Sequence, residues 1–319
     1  MRILVVLILI GAAVGGGWWW FKGRAEPVAQ AQDPGPFVTT TPSIQPVGLP
    51  AEVQRLIDGA EADWTAAGDA PQRTPKAPAL ARQCAKALRA LYDVKGSHDR
   101  QAKLIAERAQ PLADVLFFSK AKVPADDGGL FALHLVAPGE SPEKIGIHYG
   151  MSRELVNTMR GADINNGNLQ AGESLKVVNL KEAGHQIHID KGQKFLDWYI
   201  AGIFARRYQI SIGAVESPTP VGKTKITKRQ FDPEWTNPKT GKVLAAGDPE
   251  NILGGVWLAF DEKQLGQKGI GIHGYTGANG GLGRMISNGC IRMANDEVKQ
   301  FAHWLSQPDR TTTTVEIVE

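Results

Sequence analysis

Gly271–Met293 reads GIHGYTGANGGLGRMISNGCIRM, and it sets His273 and Cys290 17 residues apart in a segment carrying seven glycines. A thiol at its ordinary pKa is mostly protonated at neutral pH. A nucleophilic cysteine therefore needs an imidazole that takes up its proton and later returns it. The pattern predicts a strand over 269–274 ending at the histidine and a tight loop, Ser287-Asn288-Gly289-Cys290, that delivers the sulfur just before a helix. That helix is legible from Asn295 as N-cap, Asp296 and Glu297 in its first turn, and an apolar stripe of Val298, Phe301 and Leu305.

Upstream of this stretch, from His185, the apolar period is two. Ile187 and Ile189, then Leu196, Trp198 and Ile200, then Tyr208, Ile210 and Ile212 alternate with other residues, and turns fall at Lys191-Gly192 and Ala201-Gly202. Val315 and Ile317 suggest a closing strand. Residues 185–319 are thus expected to form a mainly β domain holding the thiol and the imidazole. His188 alternates within a strand and reads as an exposed or satisfied side chain, and His303 lies off the helix stripe. One cysteine and one histidine leave two zinc ligands unfound, so no metal or other cofactor is expected.

The rest of the 319-residue chain divides by composition. Ile3–Phe21 is an uncharged run of 19 residues ending in Trp18, Trp19 and Trp20, long enough to cross a bilayer; residues 1–24 are expected to be a membrane helix, with a cleaved signal as the alternative. Residues 25–50 carry six prolines among small and polar residues and read as a linker. Residues 51–122 show helical spacing, with Val53, Leu56, Ile57, Ala60 and Trp64 first, then Leu80–Tyr92, then Leu104–Phe118 interrupted by Pro111. They read as a small all-α module acting as a spacer or docking element. Cys84 falls on the stripe Leu80, Cys84, Leu88, Leu91 and reads as a buried hydrophobe rather than a disulfide partner of Cys290. A net charge of +3 excludes a dedicated nucleic-acid binder.

His273-Gly274 followed by Ser287-Asn288-Gly289-Cys290-Ile291-Arg292 resembles the signature of the L,D-transpeptidase catalytic domain, with Asn288 where that family usually has a second histidine. Tyr208–Thr227, YQISIGAVESPTPVGKTKIT, is similar to the family's strand, turn, Thr-Pro-x-Gly and strand. The resemblance implies acyl transfer in which Cys290 attacks a peptidoglycan stem, His273 serves as base and acid, and the Gly274 carbonyl orients the imidazole. Gly289 would let the Gly289-Cys290 N–H groups face the oxyanion. Ser287 would bind substrate, Asn288 would hydrogen-bond substrate or the loop backbone, and Arg292 would fix a substrate carboxylate or the loop itself. Residues 131–180 resemble a LysM module, a βααβ fold that binds glycan, through Val136-x-Pro138-Gly139-Glu140-Ser141, Ile145-x-x-x-Tyr149-Gly150 and Leu169-x-x-Gly172-Glu173-x-Leu175; His134 and Arg160 depart from its pattern. Its removal should spare the chemistry. The implied partners are stem peptides, glycan strands and the membrane, with the catalytic domain extracytoplasmic, in periplasm or cell wall. The alternatives are an L,D-carboxypeptidase, a non-catalytic wall-binding protein, and a papain-like peptidase, whose cysteine would precede its histidine.

Overall fold

The computed structural model describes residues 48–122, 129–275, 277 and 281–319. The expected membrane helix and most of the proline-rich linker lie outside the described residues; among those described, no helix is long and apolar enough to cross a membrane. Helix α1 (Ala51–Ala66) packs on α2 (Ala77–Tyr92), whose stripe of Leu80, Cys84, Leu88 and Leu91 is buried. Cys84 and Cys290 are both free thiols. Pro111 does not break the next helix, contrary to the reading of it as an interruption. It sits at the start of α4 (Gln110–Phe117), which continues from α3 (His98–Leu104) through a π-helical stretch at Ile105–Ala109. The wide π-helical turn before it absorbs the hydrogen bond that proline cannot make and gives the ring room.

Residues 131–178 run strand, helix, helix, strand: β1 (Phe131–Leu135), α5 (Pro142–Tyr149), α6 (Arg153–Met159) and β2 (Ser174–Val178), the two strands pairing antiparallel. Ser141 caps α5 by accepting from Lys144 N, and Ser152 caps α6 by accepting from Leu155 N. Gly150 ends α5 at φ +74°, and its carbonyl accepts from Thr311 Oγ1 at 2.7 Å. Further bonds tie this segment to the C-terminal part of the chain. Trp304 Nε1 donates to Thr158 Oγ1 at 2.9 Å, and Ser152 Oγ donates to the Trp304 carbonyl. Lys176, buried, donates to the carbonyls of Val115 and Ser119 at the end of α4.

An eight-stranded sheet forms the larger part. It is built from β3 (His185–Asp190), β4 (Phe195–Ile200), β5 (Ile203–Gln209), β7 (Gly222–Phe231), β10 (Val256–Phe260), β11 (Gly271–His273), β13 (Ile291–Arg292) and β14 (Thr313–Val318). β6 (Ile212–Gly213), β8 (Trp235–Thr236), β9 (Val243–Leu244) and β12 (Met285–Ser287) lie outside it. The strand order is β13-β11-β10-β7-β14-β3-β4-β5, so the chain's last strand closes the middle. Ala201 and Gly202 both have positive φ, the geometry of a two-residue hairpin turn between β4 and β5. Two further helices, α7 (Glu262–Leu265) and α8 (Asn295–Trp304), belong to this part of the chain.

The alternation read from Leu196, Trp198 and Ile200 places one face of β4 on the core under α8, where Trp198 stacks on Trp304 with ring centroids 5.9 Å apart. The other face is covered too. Asp197 is fully buried, bridged by Arg207 at 2.7 Å and hydrogen-bonded by Tyr92 Oη from α2. His188, expected at the surface or satisfied, is buried with its ring 3.9 Å from that of Tyr92, and its Nε2 has no hydrogen-bond partner among the described residues. Helix α2 thus covers this face of the sheet, and the described residues from 48 onward form one compact unit.

Candidate active site

Cys290 sits at the end of a loop braced from three sides. The Ser287 hydroxyl accepts from Gly289 N at 3.1 Å and donates to the Cys290 carbonyl at 2.6 Å, closing the turn on itself. Gly289 holds φ +106°, and a Cβ there would come within 2.8 Å of Ile270 Cδ1, so glycine alone fits. Thr219, the threonine of the Thr-Pro-x-Gly stretch, donates to the Gly289 carbonyl at 2.8 Å while accepting from Gly213 N at 2.9 Å. After Cys290 the chain enters β13, parallel to β11 with Ile291 opposite Ile272 and Arg292 opposite His273. The sulfur is thus delivered to a sheet edge rather than directly into a helix, and this register brings thiol and imidazole to one cleft.

His273, at 1% exposure, donates through Nδ1 to the Gly274 carbonyl at 2.7 Å. A carbonyl can only accept, so this bond fixes the tautomer and leaves Nε2 unprotonated in the neutral ring. Burial, with the Arg292 charge adding to it, pulls the imidazole from 6.5 down to about 4, against the carbonyls of Gly274 and Ile252, which favour the cation. Burial raises the Cys290 thiol, while a Gly271 backbone hydrogen bond and the Arg292 charge lower it. The Cys290 thiol itself donates to the Gly269 carbonyl at 3.4 Å.

Both groups line a cleft of about 400 Å³ walled by Pro233, Leu253 and Trp257, with Lys228, Gln230 and Glu234 supplying polar groups. The Trp257 ring lies 6.1 Å from that of His273. Pro233 and Trp235 belong to an excursion between β7 and β10 that includes the hairpin β8–β9. Buried Asn251 holds it by donating to the carbonyls of Pro233 at 2.9 Å and Ala245 at 3.0 Å. Neither the excursion nor Trp257 stood out in the sequence, since short strands separated by proline and polar residues carry no periodic signal. Among the described residues no cluster of three His, Cys, Asp or Glu side chains is placed to hold a metal.

Of the residues singled out in the sequence, His273, Gly274, Gly289 and Cys290 come together. Asn288 is exposed at the loop tip. Ser287, expected to touch substrate, is 2% exposed with its hydroxyl occupied within the loop, so its role is to shape the turn. The Gly289 N–H, expected to face an oxyanion, is taken by Ser287, leaving that expectation to the Cys290 N–H. Arg292 is half-buried, its guanidinium carbon 5.8 Å from the Tyr275 ring centroid and its main chain bonded both ways to Ser211. Asn295 is not the N-cap of α8; Ala294 is, without a side-chain cap, and Asn295 instead accepts from Tyr275 N at 2.8 Å.

Residues 184–317 match the sequence profile of YkuD, the L,D-transpeptidase catalytic domain. Two Bacillus proteins, each described as a "Putative L,D-transpeptidase", are similar to the chain. YqjB of Bacillus subtilis is 37% identical over 91 residues, 28% of this chain and 49% of that protein. YkuD of Bacillus licheniformis is 26% identical over 185 residues, 57% of this chain and 98% of the relative. The chain thus spans about half the length of YqjB. Among solved structures, an L,D-transpeptidase from Mycobacterium smegmatis overlays with a TM-score of 0.34 at 15% identity, covering 46% of this chain and 64% of that one. Residues 184–317 are thus similar to the YkuD-type L,D-transpeptidase catalytic domain, and the domain they form is mainly β.

Proposed function

We propose that the protein is a peptidoglycan L,D-transpeptidase working through a Cys290 thioester. The observation that carries the reading is the pairing of Cys290 and His273 in one cleft, with the imidazole's Nδ1–H held by the Gly274 carbonyl. Cys290 Sγ attacks the carbonyl joining the third-position diamino acid of a stem to D-alanine, and its proton passes to His273 Nε2. The carbon–nitrogen bond breaks, D-alanine leaves with that proton, and the diamino acid remains as a thioester. The Cys290 N–H, at the end of the braced loop, faces the developing oxyanion. An amine from a second stem then attacks the thioester, forming a 3-3 cross-link, or an amine of another protein does so and joins it to the wall. Water in the same place gives the L,D-carboxypeptidase outcome.

Residues 131–180 act as a LysM-like glycan holder, in keeping with their strand-helix-helix-strand order and the motif around Pro138–Ser141. The N-terminal apolar run anchors the chain in the cell membrane with the catalytic domain outside the cytoplasm. The test is mass spectrometry of muropeptides after incubating the full chain, in detergent, with disaccharide-tetrapeptide. Release of D-alanine with tripeptide products or cross-linked dimers is expected. Cleavage of pentapeptide with tetrapeptide untouched would overturn the assignment.

A further inference from the structure

The peptide unit between Gly274 and Tyr275 is gripped at both ends. Its carbonyl accepts from His273 Nδ1 at 2.7 Å, and its N–H, on Tyr275, donates to Asn295 Oδ1 at 2.8 Å. These two groups belong to one rigid plane, so fixing the direction of the N–H fixes the direction of the carbonyl. The grip has little slack. A Cβ on Gly274 would lie 2.2 Å from Asn295 Oδ1 and one on Gly254 2.3 Å from it, so two glycines are packed directly against the amide oxygen. Gly274 N donates to the Leu253 carbonyl at 2.9 Å, and Met293 N donates to the His273 carbonyl at 3.0 Å. Asn295 itself stands on the first turn of α8, where its side chain makes no cap and has no evident part in building the helix.

We infer that Asn295 is a positioning residue. It sets the plane of the Gly274-Tyr275 peptide from the rigid helix α8, and through the Gly274 carbonyl it holds the tautomer and ring orientation of His273. This rests on the reading of His273 as the base for Cys290. Among the described residues Asn295 is not one of those that line the cleft holding the thiol. Its effect must therefore appear in the chemical step rather than in binding.

The test compares the wild-type full chain with Asn295→Ala, Asn295→Gln and Asn295→Asp. The readouts are kcat and KM for D-alanine release from disaccharide-tetrapeptide, the rate of Cys290 alkylation by iodoacetamide at pH 7, and the melting temperature. Loss of one orienting hydrogen bond is worth roughly a factor of ten in rate. Asn295→Ala should lower kcat and the alkylation rate by about that factor, with KM within about twofold. Asn295→Gln keeps the amide but moves its oxygen by one methylene, and should show the same loss while melting near wild type, which covers the case in which the alanine variant folds poorly. Asn295→Asp keeps an acceptor at the same reach and should recover most of the rate. Wild-type kcat in the alanine and glutamine variants, a loss confined to KM, or an aspartate variant that melts normally yet is no better than alanine would overturn the inference. A wild-type chain that releases no D-alanine while its alkylation still depends on Asn295 would overturn the proposed function and leave the positioning role standing.

Discussion

Thr219→Val should loosen the Cys290 loop and destabilise the fold together. Thr219 is 1% exposed, and its hydroxyl joins the Gly213 N–H to the Gly289 carbonyl at 2.9 and 2.8 Å. Valine keeps the shape and removes both bonds, stranding one buried donor and one buried acceptor. Each stranded group costs roughly 1–3 kcal/mol, so the change should cost about 2–6 kcal/mol. Relaxation is limited on the Gly213 side, where a Cβ would already stand 2.2 Å from the Ser217 carbonyl oxygen, so backbone is packed tightly there. At about 2 °C per kcal/mol for a unit of this size, the melting temperature should fall by roughly 4–12 °C. Freed from its anchor, Gly289 need not keep φ +106°, and Cys290 should react with iodoacetamide several-fold more slowly at pH 7. Thr219→Ser keeps the hydroxyl and should lose only about 1 kcal/mol for a buried methyl, with reactivity intact. Calorimetry and timed alkylation read the two effects. A valine variant that melts within 1 °C of wild type, or that labels at the wild-type rate, would refute the reasoning that Thr219 pins the Cys290 loop; the 1 °C margin is about half of one kcal/mol on the same scale.

A thiol-directed acylating agent should add one mass, at Cys290. Cys84 is 1% exposed and its thiol is pushed up to about 12, so it should stay unmodified, and Cys290→Ala should take up none, as peptide mapping would check. Because burial holds His273 near 4, the acylation rate should stay flat from about pH 5 to 8 and fall only as the imidazole protonates below that; a rate that drops already below pH 6.5 would mean an ordinary histidine. The same shift ties stability to pH. Between about 6.5 and 4 the unfolded chain binds a proton that the buried His273 refuses, and His185, lowered to about 3, acts alike, so the melting temperature should drop as pH falls through that window. Asp197→Asn leaves Arg207 without its buried carboxylate and should cost roughly 3–5 kcal/mol in urea unfolding, without changing the pH at which acylation falls off.

What the sequence showed best was whatever had a period or a fixed local chemistry. Leu196, Trp198 and Ile200 alternate because one face of β4 meets the core, and His273 and Cys290 stand out because few backgrounds carry those groups among so many glycines. What it hid depends on contacts between distant segments. Phe195, Asp197 and Tyr199 look like the solvent face of a strand, and only the docking of α2 makes Asp197 a buried anion. Asn295 carries every mark of a helix cap, since the amide that suits a cap also suits any nearby N–H. The Tyr275 N–H won that competition because the chain leaving β11 passes directly beside the start of α8.

The tight seating of residues 131–178 changes how their role must be tested. Gly150, Ser152 and Thr158 exchange hydrogen bonds with Trp304 and Thr311, Arg310 pairs with Glu143 at 2.6 Å, and Lys176 closes the end of α4. Trp304 in turn stacks on Trp198 in the core beneath the sheet. Removing the segment would therefore strip α8, the helix that bears Asn295, of one flank, and lost turnover would say nothing about glycan. Substitutions at the exposed turn of Asn165 and Asn168 leave those contacts in place. If the segment holds glycan, they should weaken sedimentation with insoluble peptidoglycan while turnover of soluble fragments stays at the wild-type rate. Unchanged sedimentation would leave the segment as a structural brace alone.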